Sequence, residues 1–451
     1  MKQSFWTCEW SDCKTMSISL VDSKLWSGLY SSPTVTDLLD DAALISAMIQ
    51  VEAQLAVASS EVGLIPQDIG AKIAAACDNL EIAPETLSEQ TERDGVPVPA
   101  LVNAMRTSLG AELGQWVHFG ATSQDIIDTA TTLQVDTVIS EMLIELDDLL
   151  DRLAEIANAD ADTVMAARTR TQIGLPTTFG ALVTVWGQEL ADASDRLAAA
   201  RERNARLSLH GAAGTDAAFG EKADMLRAAL AERLGLQAEP LPSHTRRGAV
   251  AELGSALSLL TVGLGRMGSD VAFLAGSSVR EVAIAGGGSS TMPHKSNPVR
   301  AEVLQSAARY STHLQAALSE AAIHGMSRDG VAWGLEWMSM RPLVATAAGA
   351  LSNAYKMVSG LKARPDTMMH NLQAEGFGPF SEAAVFALAR TMPRPEAVTA
   401  IKQALETPDP EATLRSRHAS IDWNSVVDPL RASGNAPQQA RHFARSRKAL
   451  E

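Results

Sequence analysis

The chain has 451 residues, 46% of them apolar and 20% charged, the balance of a globular protein with more than one core. Lys and Arg number 38 against 53 Asp and Glu, a net charge of −15, which argues against nucleic acid and anionic membrane surfaces as partners. An anionic small molecule must then be drawn by local positive charge. The N-terminus, MKQSFWTCEWSDCKT, lacks the apolar stretch of a signal peptide, and no apolar run approaches the roughly 18 residues of a membrane span. Cys8, Cys13 and Cys77 read as reduced thiols, so a cytoplasmic location is expected.

Short helices and the Pro-rich turn DGVPVPA (94–100) come first. Between Gly120 and Gly174 the chain has neither Gly nor Pro. Within that stretch Val135, Ile139, Met142, Leu146, Leu149, Leu153 and Ile156 alternate steps of four and three, which predicts the core seam of a long bundle helix. Asp136, Glu141, Glu145, Asp148 and Asp151 lie opposite. Further long helices are predicted over 180–209, 247–279, 299–324 and 333–361, with no strand-like alternation and no βαβ pattern. Beyond Lys362 the elements shorten, punctuated by Pro365, Pro393, Pro395, Pro408 and Pro410. The expected fold is all-α, in three helical domains: 1–120, a central long-helix bundle at 121–362, and 363–451.

Four polar segments interrupt the helices. In HFGATSQDIIDT (118–129), Thr122, Ser123 and Gln124 open the longest helix, where free N–H groups and the dipole suit an anion. ARTRTQIGLPTTFG (167–180) brings Arg168, Arg170 and Gln172 before a Gly-Leu-Pro break, and LPSHTRRG (241–248) carries His244 and two arginines. In GGGSSTMPHKSNP (286–298) three glycines let backbone N–H groups converge on an anion; Lys295 adds a point charge and Asn297 a directional donor. Ser289 serves as a base only if its alkoxide is stabilised by such groups. HExxH, Cys/His clusters and GxSxG are absent, so neither a metal nor a serine-hydrolase site is implied.

Together these segments resemble the fumarase/aspartase superfamily. GSSTMPHKSNP is similar to its signature loop GSSxMPxKxNP, GATSQDIIDT to its helix-opening motif, and ARTRTQIGLPTTFG to GRTxxQxAxPxTxG, in the family's order over nearly the whole chain. The resemblance implies a fumarase/aspartase-like bundle, a homotetramer with each active site built from three subunits, and cofactor-free β-elimination or its reverse on a carboxylate. It casts Ser289 as general base, Lys295 and Asn297 as carboxylate binders, Thr122 and Ser123 as a second carboxylate site, and Arg328 as a substrate contact; His244 is the next acid–base candidate.

Members that expel an amine usually carry His where Arg170 stands. An amine needs a general acid to leave, whereas a carboxylate, whose conjugate acid has a pKa of about 4, needs none. VPALV (98–102), SHTRR (243–247) and GLEW (334–337) resemble the branch that lactonises 3-carboxy-cis,cis-muconate. Ser243, Gly248, Ile173 and Ser296 depart from that branch, which usually has Trp, Asp, His and Arg there. The resemblance therefore implies a tricarboxylate substrate. A fumarate-releasing lyase acting on a substituted succinate is the rival within the fold, and a non-catalytic helical scaffold the rival outside it.

Overall fold

A computed structural model describes residues 19–288, 292 and 294–448. The fold is all-α apart from short antiparallel pairs, in two compact units. The first comprises the described residues through Met142 with Leu197–Ser258 and Arg309–Ser352; the second comprises Leu143–Arg196, Leu259–Ala308 and the chain from Asn353 onward.

In the first unit, helix α1 (Asp41–Glu61) starts at Asp40, whose carboxylate accepts the Ala43 N–H at 2.7 Å. Its Met48 and Leu55 join a core with Ile73 of α2 (Ile69–Cys77), Leu101 and Met105 of α3 (Val98–Gly114), and Ile126 at the start of α4 (Ser123–Ala159). Cys77 closes α2 inside that core, where burial first, and then the charges of Glu52 and Asp78, push its thiol up to about 11.

Helix α4 has 37 residues, about 55 Å at the α-helical rise. All seven positions of the predicted seam are buried, none more than 7% exposed. Of the carboxylates opposite, Asp136 takes Arg201 in the first unit and Asp151 takes Arg447 in the second. Past the helix end, without Gly or Pro, the Asp160 carbonyl accepts the N–H groups of Thr163 at 3.1 Å and Gly180 at 3.0 Å, and Thr163 Oγ1 donates to Asp160 Oδ1 at 2.8 Å.

Contrary to the absence of strand-like alternation in the sequence, strands follow this helix. β1 (Val164–Thr169) and β2 (Gln172–Thr178) form an antiparallel hairpin. Val164, Met165 and Ala166 are consecutive and all buried, and a bulge follows Ala166, so no period of two is visible. Val164 and Ala166 pack on Leu372 of a short helix at 365–373.

The remaining long helices lie within a few residues of their predicted spans: α5 (Phe179–Asn204), α6 (Gly248–Ala275), α7 (Val299–Ala321) and α8 (Gly330–Ser359). Two helices, α1 and α6, are long and apolar enough to cross a membrane by composition alone, contrary to the reading from sequence. More than half of each apolar window is buried inside the protein, as expected of core helices. The C-terminal segment has its own core of Phe377, Phe380, Leu388, Ile401, Leu414 and Trp423.

Candidate active site

The start of α4 is fixed by one carboxylate. Gly120 has φ +74°, and a Cβ there would lie 2.4 Å from the Phe219 ring, so both conformation and space require glycine. Asp125, wholly buried, accepts the N–H of Thr122 at 3.0 Å and those of His210 and Gly211 at 2.9 Å. Its Oδ1 also lies 2.7 Å from Nε2 of His244. His244 is thus built into this knot, with its buried Nδ1 lacking a partner among the described residues. The half-buried hydroxyls of Thr122 and Ser123 bond to no described residue and stay available at the helix N-terminus.

Gln124 is fully buried and held by its neighbours: its amide donates to the His244 carbonyl and to Asp128, and accepts from Arg328 Nε at 2.8 Å. Asp128 in turn binds Arg247 and the Trp333 indole N–H, and Arg247 also grips Glu336. The unit therefore brings together Thr122, Ser123, Gln124, His244 and Arg328. It adds Asp125, Asp128, Arg247 and Glu336, whose importance rests on partners far away in sequence.

His118 is a further residue passed over in the sequence, although its place just before GATSQD was the available signal. Its φ is +64°, unusual for a residue other than Gly, and its Nδ1 lies 2.6 Å from buried Glu52. Burial opposes its charge, but the Glu52 carboxylate outweighs that and holds the imidazole above its ordinary value.

The other predicted residues belong to the second unit. Arg168 makes a two-pronged pair with buried Glu281, at 2.9 and 2.5 Å, and Asn371 binds the same carboxylate. Its charge is thus committed within the protein. Arg170 is exposed at the tip of the β1–β2 hairpin and pairs with no described residue; Gln172, also exposed, makes a long 3.4 Å contact to Thr171. Lys295 immediately precedes β4 (Ser296–Asn297), which contains Asn297 and pairs with β3 (Gly287–Gly288) through Gly287 and Asn297. A Cβ on Gly286 would come 1.8 Å from Ser296 Oγ and 3.1 Å from the Asn297 carbonyl, so the base of this loop packs closely on the glycine. Ser289 lies outside the described residues. Among the described residues no group of three or more His, Cys, Asp or Glu is placed to hold a metal ion.

The hairpin tip carries strain. Arg170 and Thr171 have φ of +51° and +71°, the pattern of a turn that ordinarily takes Asn-Gly. For β-branched Thr this costs about 1–2 kcal/mol. Thr171→Asn is expected to stabilise the chain by roughly 1 kcal/mol, read as a higher urea midpoint. A lower midpoint would show that the tip is unstrained.

A lyase family profile matches residues 32–310, more than half of the chain. The chain belongs to this lyase family, within the fumarase/aspartase superfamily. It is 34% identical to the 3-carboxy-cis,cis-muconate cycloisomerase of Bradyrhizobium diazoefficiens, over 85% of this chain and 86% of that one. It is 33% identical to the nitrosuccinate lyase of Streptomyces davaonensis, over 93% and 94% respectively. The crystal structure of the 3-carboxy-cis,cis-muconate lactonizing enzyme from Pseudomonas putida superimposes with a TM-score of 0.89 at 29% identity, covering 95% of this chain and all of that one. The lyase-family chain is thus all-α in the fumarase/aspartase manner, as its motifs implied.

Proposed function

We propose that this chain is a cofactor-free cycloisomerase interconverting 3-carboxy-cis,cis-muconate and 4-carboxymuconolactone. The observation that carries the reading is Arg170: an exposed guanidinium, unpaired among the described residues, at the position where amine-expelling relatives keep an acid. A guanidinium stays protonated and grips a carboxylate by two parallel bonds, so it binds and does not transfer protons. In lactonisation a substrate carboxylate oxygen bonds to one end of a conjugated double bond. Ser289 delivers the proton to the carbon α to another carboxylate. In reverse its alkoxide, stabilised by loop N–H groups and Lys295, takes that proton as the ring C–O bond breaks. Thr122, Ser123, Asn297, Arg170 and Arg328 hold the negative charges in register, a placement effect of several kcal/mol. The reading includes a cytoplasmic homotetramer with shared sites and a three-part division of the chain at 120 and 362.

A second reading is elimination of nitrite from nitrosuccinate, giving fumarate. The nitrosuccinate lyase matches more of this chain than the cycloisomerase does. Nitrite, the anion of an acid about as strong as a carboxylic acid, also leaves without a proton donor, so Arg170 accommodates it equally.

Loss of the diene ultraviolet absorbance of 3-carboxymuconate tests the first reading, and appearance of fumarate and nitrite tests the second. Arg170→Lys is expected to raise KM roughly tenfold or more, the worth of a charge-assisted bond. Brisk fumarate release with the diene untouched would reject the cycloisomerase reading. An unchanged KM in Arg170→Lys would remove Arg170 from substrate binding.

A further inference from the structure

The buried polar side chains of the first unit form a connected line that ends at Arg328. We propose that Gln124 is a positioning residue: it sets the Arg328 guanidinium so that its two outer nitrogens, Nη1 and Nη2, meet one substrate carboxylate end-on. Arg247 is the buried hub that fixes the line. The inference rests on Arg328 being a substrate contact, as in the reading above.

Every polar atom of the Gln124 amide is used. Nε2 donates to the His244 carbonyl at 2.9 Å and to Asp128 Oδ2 at 3.2 Å, while Oε1 accepts from Arg328 Nε at 2.8 Å. A flipped amide would face a carbonyl and a carboxylate with its oxygen and a guanidinium with its NH2, so the orientation is determined by its partners. Gln124 therefore has no N–H left to offer a substrate carboxylate. Asp128 Oδ2 also accepts from Arg247 Nη1 at 2.8 Å, and Oδ1 from the Trp333 indole at 3.0 Å. Arg247 Nε donates to Glu336 Oε2 at 2.8 Å, which ties this line to α8.

Arg328 is itself exposed, and among the described residues only its Nε is engaged. The edge bearing Nη1 and Nη2 is free, and it has the spacing of a carboxylate. The backbone around it is held without Gln124: Asp329 accepts the N–H groups of Gly325, Val331 and Ala332 at 2.9–3.2 Å. The bond from Gln124 thus fixes the direction of a side chain whose loop is already in place. A long side chain ordered before binding loses less freedom when the ligand arrives.

The test is a double-mutant cycle. Gln124→Ala is expected to raise KM about five- to tenfold, the cost of immobilising one long side chain, with the effect falling on KM and not on kcat. In an Arg328→Ala background the same change should move KM less than twofold, because its target is gone. Additive effects, or an unchanged KM in Gln124→Ala, would overturn the proposal. Gln124→Met, of similar length, replaces Gln124→Ala if the smaller side chain does not fold. Arg328→Lys approaches from the exposed end: it keeps the charge but loses the fork, and should weaken binding as much as Arg328→Ala; a wild-type KM there would also overturn the proposal. The cycle is run on 3-carboxy-cis,cis-muconate, on nitrosuccinate, and as calorimetric Kd values for tricarballylate. Wild-type protein inert toward the muconate rejects the proposed function, while the other two measurements still decide the role of Gln124.

Discussion

Arg247→Met is expected to destabilise the folded chain by about 3–5 kcal/mol, the cost of breaking a buried ion pair from one side. Arg247 is 7% exposed and lies between Asp128 and Glu336, which are equally enclosed. Burial opposes its charge, and the two carboxylates more than offset that, holding it well above the ordinary arginine value. Methionine fills much of the volume but leaves both carboxylates without their counter-charge in a low-dielectric interior. Urea denaturation measures the loss. Adding Asp128→Asn and Glu336→Gln to Arg247→Met should recover a substantial part of it, since the stranded charges are then gone. A loss below about 1 kcal/mol, the range of a surface pair, would show that the triad is solvated.

The second large effect is catalytic. Ser289→Ala is expected to lower kcat roughly 100- to 10,000-fold, the usual worth of a positioned acid–base group, while substrate or product still binds. Gly287 pairs with Asn297 and Gly288 with Ser296, so the described ends of the loop meet, and Ser289 is the next residue in the sequence. Ser290→Ala should be milder. If Ser289→Ala kept its rate within about tenfold, the base would lie elsewhere. His244 would come next, because its Nδ1 has no partner among the described residues and Asp125 anchors its other nitrogen.

The long helices were legible because their signal is local. The seam from Val135 to Ile156 repeats often enough to identify a helix, and each of its side chains is buried. The hairpin was illegible for an equally local reason: its turn is Arg170-Thr171 where such turns ordinarily take Asn-Gly, and its first strand buries three residues in a row. The motifs located the site, but sequence does not say which charges are already spent. Arg168 and Arg170 are two residues apart and look equivalent. One is bound to Glu281, 113 residues away, and the other is unpaired among the described residues. Gln124 is a similar case, since two of its three partners, His244 and Arg328, lie 120 and 204 residues away.

Cys77 turns the core of the first unit into its own gauge. The residue is 7% exposed and its thiol is pushed up to about 11, so at pH 8 only about a thousandth of it would be thiolate even if reagent could reach it. Alkylation must wait for the helix to open. In a chain carrying Cys8→Ser and Cys13→Ser, the labelling rate then counts openings in plain buffer, with no denaturant and no substrate. Such a clock would separate variants that loosen this core, as Arg247→Met should, from those that leave it shut and alter only the encounter with ligand, as Gln124→Ala should.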